Sequence, residues 1–168
     1  IVEKLVPSDI AGLTPGKVQL TVLLNEDGGI VDDLMIGRPA DPTRQGMLYI
    51  VVNAGTKDND FALIQKTAGA DAELRRADDR ALIALQGPEA EAVIASIIPE
   101  AVALTFMHFV RVEHPEYGRI MATRCGYTGE DGFEISAPAD RAEALARTLL
   151  AEPEVAPAGL GARDSLRL

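Results

Sequence analysis

The residues best suited to chemistry lie in one glycine-rich loop, R-C-G-Y-T-G-E-D-G-F-E, at positions 124–134. Glycine is needed where the backbone takes positive φ or where a ligand approaches it closely, and this loop has three glycines within seven positions. Tyr127 supplies a phenol that can donate or accept a hydrogen bond, and Glu134 supplies a carboxylate that accepts. Because residues 133–136 alternate like a strand, Glu134 is expected to project from a rigid element. The pattern fits a ligand-binding loop, and a decorated β-turn is the simpler alternative.

A second candidate is the acidic pair Asp32 and Asp33, which interrupts the apolar stretch 30–36. Adjacent strand residues face opposite ways, so the two carboxylates are not expected to form a close dyad. At least one of them is expected to be partly desolvated, and desolvation raises the pKa of a carboxyl group. Such a group suits catalysis or ligand binding. The competing interpretation is an edge strand with one solvated aspartate and one paired with an arginine.

Three further polar or reactive residues stand at the borders of predicted elements. Asn53 ends an apolar strand, where its amide can bind a ligand or simply start a turn. Arg163 follows the glycines of G-L-G at 159–161, and there it either meets an anion or pairs with Asp164 inside a helix. Cys125 has no neighbouring histidine in the sequence, so we expect a small buried residue and not a nucleophile.

The elements that position these residues are strands and helices in alternation, which predicts an α+β fold with two lobes. A polar, charged stretch at 69–79 marks the boundary, giving domains 1–77 and 78–168. A helix is expected to open at Pro88, and residues 47–53 are expected to form a strand buried on both faces. A loose similarity between the halves leaves internal duplication open. The predicted strands are 18–24, 30–36, 47–53, 81–85, 109–113, 118–124 and 133–136; the other predicted helices are 57–66 and 139–150, the latter with Leu145, Leu149 and Leu150 inward.

Composition narrows the class of protein. The 168 residues carry a formal charge of −10 with a pI near 4.6, which argues against nucleic acid and against an anionic membrane surface as partners. One cysteine excludes an internal disulfide, and two isolated histidines do not suggest a metal site. The sequence lacks an apolar run of about 18 residues, the length that would indicate a membrane span.

Five segments, taken in order along the chain, carry a family resemblance. The chain resembles the T-protein of the glycine cleavage system, the tetrahydrofolate-dependent aminomethyltransferase, and the glycine-rich loop together with G-A-R-D-S-L-R-L is the most specific part. The segments are N-E-D-G-G-I-V-D-D-L at 25–34, V-V-N-A at 51–54, A-L-Q-G-P at 84–88, the glycine-rich loop, and G-L-G-A-R-D-S-L-R-L at 159–168.

The resemblance implies a reaction and a set of site residues. An aminomethyl group on the lipoyl arm of the H-protein would pass to tetrahydrofolate, with release of ammonia and formation of methylene-tetrahydrofolate. By position, Asp33 matches the family's key aspartate, which acts electrostatically near the reacting nitrogens of the folate. Glu134 matches the carboxylate that holds the pterin, while Asn53 and Tyr127 match residues that line the folate pocket. Arg163 matches an arginine at the mouth of the site.

The resemblance also implies a context. The fold would be two helix-plus-antiparallel-sheet lobes of the folate-binding aminomethyltransferase fold. We expect a fragment that lacks the family's N-terminal segment and C-terminal barrel domain, and such an open pocket is expected to bind folate weakly. The lipoylated H-protein would be the partner, with tetrahydrofolate as co-substrate and no metal. A bacterial cytoplasm and a mitochondrial matrix both fit.

Two alternatives share the folate-binding fold. One is the folate domain of a related one-carbon enzyme, such as sarcosine or dimethylglycine dehydrogenase or a folate-dependent demethylase. The other is a non-catalytic folate-binding protein that assists iron–sulfur enzyme maturation. The glycine-rich loop fits the T-protein better than the first group, and Asp33 is not expected in the second.

Overall fold

Strands with alternating apolar residues and helices with one apolar face build an α+β architecture in the computed structural model, which describes residues 1–166. The predicted α+β class is confirmed by two antiparallel sheets with flanking helices. The chain divides into two compact units, unit 1 at 1–77 and unit 2 at 78–168. Arg167 and Leu168, the last two positions of the C-terminal family segment, lie outside the described residues. Within residues 1–166, no helix combines the length and the apolar character needed to cross a bilayer.

Unit 1 is built on a three-stranded antiparallel sheet in the order β1-β2-β3. Its apolar face, with residues such as Leu23, Leu34 and Ile36, packs with Ile64 of the following helix into one core. The turn between the first two strands is held by Asn25, whose side-chain oxygen accepts the N–H groups of the turn. The elements are β1 (Val18–Leu24), β2 (Ile30–Gly37), β3 (Tyr49–Val51) and α1 (Lys57–Ala68), with 3-10 helices at Val2–Lys4 and Pro42–Arg44.

The third strand departs from its prediction. Residues 47–53 were expected to be a strand buried on both faces, but β3 has three residues, all half-buried, while Met47 and Leu48 are exposed. The reason is topological, because among the described strands β3 pairs with β2 alone and lies at the edge of the sheet. An apolar composition cannot distinguish a central strand from an edge strand.

Unit 2 has a four-stranded antiparallel sheet in the order β4-β7-β6-β5. β7 is therefore central, and its Phe133 and Ile135 are completely buried. The helices cover the sheet with Ile94, Ile98 and Leu145, which are also completely buried. The elements are β4 (Arg80–Gln86), α2 (Ala90–Ile97), β5 (His108–His114), β6 (Gly118–Arg124), β7 (Gly132–Pro138), α3 (Ala139–Ala151) and α4 (Leu160–Leu166), with a 3-10 helix at Pro99–Ala103.

Two helical details in unit 2 were predicted wrongly. α2 starts at Ala90 and not at Pro88, because Gly87 has φ +127° and a turn precedes the helix. In α3, Leu145 and Leu149 are buried but Leu150 is 47% exposed. Residues four apart share a helix face, whereas the next residue is rotated by about 100° away from it.

Small size, more than backbone freedom, explains the glycines of the glycine-rich loop. Gly129 has positive φ (83°), but Gly126 and Gly132 do not. At both of those positions a Cβ would collide with the Gln86 side chain, and at Gly132 it would also lie 2.6 Å from the Leu85 carbonyl oxygen. The loop thus closes over Gln86 because two of its residues have no side chain.

We therefore expect Gly132→Ala to destabilise unit 2 by about 1–3 kcal/mol, since the new methyl group meets backbone as well as the Gln86 side chain. Gly161→Ala is the matched control, because its Cβ meets open space inside α4, where alanine is the better helix former. The measurement is the urea midpoint of each variant. Equal midpoints for the two variants would contradict the collision.

Candidate functional site

In unit 1, the side-chain amide of Asn53 donates hydrogen bonds to the carboxylates of both Asp32 and Asp33. Its Nδ2 donates to Asp32 Oδ1 at 2.8 Å and to Asp33 Oδ1 at 2.7 Å, and it lies 3.3 Å from the Asp33 carbonyl oxygen. Asn53 lies two residues beyond β3. Because β3 pairs with β2, this position places the Asn53 side-chain amide next to the N-terminal half of β2. The predicted site residues Asp33 and Asn53 are in direct contact.

Asp32 and Asp33 were not expected to form a close dyad, but the structure gives them a shared hydrogen-bond donor. Both carboxylates converge on one amide nitrogen, and Asp32 Oδ1 also accepts the N–H of Asp33 at 2.9 Å. Strand alternation fixes the direction of each Cα–Cβ bond, but the carboxylate oxygens lie further out and can turn towards a shared donor.

The rise in pKa that was expected for at least one of the two aspartates is not found at Asp32, whose pKa is lowered. The Thr56 hydroxyl donates to Asp32 Oδ2, and this bond, together with those from Asn53 and the Asp33 N–H, holds the pKa of Asp32 below its ordinary value despite partial burial. Asp33 is exposed. Among the described residues, its carboxylate accepts hydrogen bonds from Asn53 alone, which leaves the rest of it free for a ligand.

The desolvated carboxyl group of unit 1 is Asp60, which the sequence did not single out. Asp60 lies in the first turn of α1 and is completely buried. Burial, followed by the hydrogen-bonded neighbour Asp32, raises its pKa. An acidic residue in the first turn of a helix is common on the surface, so the sequence gave no signal for its burial.

In unit 2, Glu134 occupies the middle of the sheet. It lies on β7 between Ala84 of β4 and Thr123 of β6, and its side chain is half-buried. Burial raises the pKa of Glu134, while a hydrogen bond from the Cys125 thiol and the positive charge of Arg163 act in the opposite direction. The prediction that Glu134 projects from a strand is confirmed.

Tyr127 and Arg163 form a stacked pair beside Glu134. The guanidinium carbon of Arg163 lies 4.0 Å from the centre of the Tyr127 ring, within the range of a cation–π contact. Tyr127 is 47% exposed, whereas Nε of Arg163 is buried and has no hydrogen-bond partner among the described residues. The structure thus brings together the three predicted residues of unit 2: Tyr127, Glu134 and Arg163.

Gln86 and Arg124 hold the glycine-rich loop in shape, and neither was predicted to do so. Gln86 donates to the Cys125 carbonyl at 2.9 Å and accepts from the Thr128 hydroxyl at 3.2 Å. The guanidinium of Arg124 donates to Asp131, and this hydrogen bond lowers the pKa of Asp131. Arg124 also lies 2.5 Å from a carboxylate oxygen of Glu91. Asp131 is therefore a structural member of the loop and not a ligand-binding acid.

Other candidates for chemistry do not form sites. Among the described residues, no group of three or more His, Cys, Asp or Glu side chains is placed to hold a metal ion. A depression of about 280 Å³ in unit 1 has mostly apolar walls and contains none of the predicted site residues. Its lining residues are Ile1, Val2, Glu3, Ile10, Ala11, Arg38, Gly46, Met47 and Leu48.

The structure is thus that of an α+β protein with one cluster of polar side chains on the sheet of each unit. Asp32, Asp33 and Asn53 form the cluster in unit 1, and Tyr127, Glu134 and Arg163 form the cluster in unit 2. The family model described as the GCVT N-terminal domain matches residues 1–168. The chain belongs to this family.

Relatives and a solved structure agree with the assignment. The mitochondrial aminomethyltransferase of Mus musculus is 46% identical over 175 residues, covering 100% of this chain and 42% of the relative. That of Flaveria anomala is 43% identical over 174 residues, covering 99% and 42%. The crystal structure of glycine cleavage system aminomethyltransferase T from Bartonella henselae matches with a TM-score of 0.82 and 43% identity, covering 96% of this chain and 43% of that one. The chain therefore spans less than half the length of these relatives.

The buried thiol of Cys125 allows a test of how the glycine-rich loop is packed. Cys125 is 4% exposed, and burial, reinforced by the charge of Glu134, raises the pKa of the thiol to about 12. Because the thiolate is the reactive form, we expect negligible labelling by a disulfide reagent at pH 8 in the folded protein and full labelling in urea. Absorbance of the released thiol measures both. Rapid labelling of the folded protein would contradict the buried, neutral thiol.

Proposed function

We propose that the protein containing this chain is the aminomethyltransferase of glycine cleavage. The one-carbon unit of an aminomethyl-lipoyl carrier would pass to tetrahydrofolate; its bond to the carrier sulfur breaks, ammonia leaves, and the sulfur is released as a thiol. The observation that carries the proposal is the match of a single family over residues 1–168, together with relatives named aminomethyltransferase. The solved relative is named as part of the glycine cleavage system.

Asp33 is proposed to act electrostatically on the reacting folate nitrogens. Its exposed carboxylate is tethered at one oxygen by Asn53, which supports a fixed direction towards a ligand. A carboxylate placed where positive charge develops lowers the barrier without having to reorganise during the reaction. Asn53 would then both line the pocket and orient Asp33.

Glu134 is proposed to hold the pterin. The aminopyrimidine edge of a pterin offers two adjacent N–H donors, and a carboxylate accepts such a pair in fork geometry. The central strand fixes the Glu134 backbone, and the Cys125 thiol and Arg163 favour its charged form in a half-buried setting. This combination supports a rigid acceptor in a place from which water is partly excluded.

Tyr127 and Arg163 are proposed to form one wall of the folate site. The exposed face of Tyr127 suits stacking against a flat heterocycle, and the guanidinium on the ring adds positive charge for an anionic substrate or carrier. Together with Glu134 they offer one acceptor, one aromatic surface and one cation.

The proposed partner is the lipoylated H-protein, because the transferred group must arrive on a carrier. The curated relatives are named mitochondrial. We propose a mitochondrial matrix or a bacterial cytoplasm for this protein, since glycine cleavage operates in either.

Asp33→Ala is expected to lower the rate of aminomethyl transfer at least about a hundredfold, because a preorganised charge at the reacting centre is lost. The assay uses the natural-length protein that contains this chain, with aminomethyl-loaded H-protein and tetrahydrofolate. Asp27→Ala is the matched control, since Asp27 is an exposed aspartate in the turn between β1 and β2. Undiminished activity of Asp33→Ala would refute the role of Asp33. Folate binding without transfer in the unsubstituted protein would point instead to a non-catalytic folate-binding relative.

Glu134→Gln is expected to weaken tetrahydrofolate binding about tenfold to a hundredfold, as a charge-assisted hydrogen-bond pair is lost. Burial raises the pKa of Glu134, so its carboxylate is protonated at a higher pH than an exposed glutamate. As the pH is lowered, folate affinity should therefore begin to fall at a higher pH than it would if the acceptor were an exposed glutamate. In Glu134→Gln, folate affinity should depend less on pH.

Isothermal titration calorimetry of tetrahydrofolate binding between pH 5 and 8 measures both the loss of affinity and its pH dependence. The exposed Glu130 of the same loop provides the control variant Glu130→Gln. Equal affinities of all three proteins would show that Glu134 does not hold the pterin.

A further inference from the structure

Asp60 is a buried acid without a hydrogen-bond donor. Its backbone N–H bonds the Thr56 carbonyl at 3.1 Å, but both side-chain oxygens are buried and receive no hydrogen bond from any described group. Asp58, two residues earlier in the same helix turn, is exposed and lies 2.7 Å from an Arg76 nitrogen. An ionised carboxylate buried without donors is strongly disfavoured, so the position selects a neutral acid.

The carboxyl group that interacts with Asp60 is that of Asp32 on β2. Thr56, whose hydroxyl donates to Asp32, lies one helical turn before Asp60, and its carbonyl accepts the Asp60 N–H. Two carboxylates are both acceptors, and they can share a hydrogen bond only when one of them carries a proton. Asp32 already accepts from the Thr56 hydroxyl, from Asn53 Nδ2 and from the Asp33 N–H, and these donors keep it ionised. The proton therefore belongs to Asp60, and the opposite pKa directions of the two groups, raised for Asp60 and lowered for Asp32, agree.

Within residues 1–166, no other charged group is placed to compete for this proton. Among the described titratable groups, Asp32 is the one that acts on the Asp60 carboxyl, while the Thr56 hydroxyl partly opposes the rise in its pKa. The 3-10 helix Val2–Lys4 also packs against α1, but its Glu3 carboxylate accepts the N–H groups of Ile10 and Ala11, and its Lys4 is exposed. The contact between Asp60 and Asp32 thus links helix α1 directly to strand β2.

A chain of hydrogen bonds then leads to the exposed carboxylate. Asp32 accepts from Asn53 at 2.8 Å, and Asn53 donates to Asp33 at 2.7 Å. A proton on Asp60 would extend this chain into the core, by a bond from Asp60 to Asp32. We propose that Asp60 is a positioning residue which, as a buried neutral acid, fixes Asp32 and thereby sets the direction of the Asp33 carboxylate. The proposal rests on the function proposed for Asp33, but the state of Asp60 can be measured independently.

The decisive comparison is Asp60→Asn against Asp60→Ala in the natural-length protein. Asparagine is neutral, of nearly the same shape, and keeps a donor for Asp32, so its kcat should stay close to that of the unsubstituted protein. Alanine removes the donor, and kcat should fall about tenfold to a hundredfold because Asp33 is misplaced. In an Asp33→Ala background, Asp60→Ala should cause no further loss. Asp58→Ala is the control from the same helix turn.

Infrared spectroscopy tests the proton itself. A carboxylic acid carbonyl band should be present at neutral pH in the unsubstituted protein and absent in Asp60→Asn. This readout does not depend on activity, and it still decides the matter if Asp60→Ala fails to fold. Identical spectra, an Asp60→Asn protein as impaired as Asp60→Ala, or fully additive losses with Asp33→Ala would each overturn the proposal. If Asp33→Ala itself kept full activity while the band was present, the function proposed for Asp33 would fail and the neutral state of Asp60 would stand.

Discussion

A carboxylate withdrawn from water must find donors or keep its proton, and this constraint organises both units. In unit 1, Asp32 accepts hydrogen bonds from three donors and its pKa is lowered, whereas the buried oxygens of Asp60 accept none from the described residues and its pKa is raised. In unit 2, Glu134 is half-buried and is balanced by the Cys125 thiol and by Arg163. Each sheet therefore carries one candidate site carboxylate that already has fixed neighbours within the protein. In unit 1 this is Asp33, which Asn53 holds, and in unit 2 it is Glu134, which lies beside Cys125 and Arg163.

Preorganisation of this kind depends on elements that cannot shift easily. Glu134 lies on the central strand of a four-stranded sheet, next to the completely buried Phe133. The glycine-rich loop that follows β6 is packed onto the Gln86 amide, and its acidic residue Asp131 is neutralised by Arg124. The acids of this loop thus have separate tasks, since Asp131 holds the loop while Glu134 faces the candidate site.

The alternation of apolar residues was sufficient to predict most strands and the α+β class, because these follow from local periodicity. The polar, charged stretch at 69–79 indicated where the chain divides, and the two compact units meet at 77/78. The resemblance of five segments to the T-protein implied the site residues Asp33, Asn53, Tyr127, Glu134 and Arg163. Within each unit the structure brings these residues together, Asp33 with Asn53 and Tyr127 with Glu134 and Arg163. The edge position of β3 and the exposure of Leu150 could not be predicted, since each depends on which neighbour a segment acquires.

By itself the sequence determined which chemical groups are available and on which kind of element each one stands. It could not determine which of the acids would lose contact with water. The sequence pointed to the pair Asp32 and Asp33 for a desolvated carboxyl group, but the packing of α1 against the sheet buries Asp60 instead, and the pKa of Asp32 is lowered. Charge state depends on burial and on donors that are distant in sequence, such as Asn53 and Thr56 for Asp32, and only the tertiary structure brings those together.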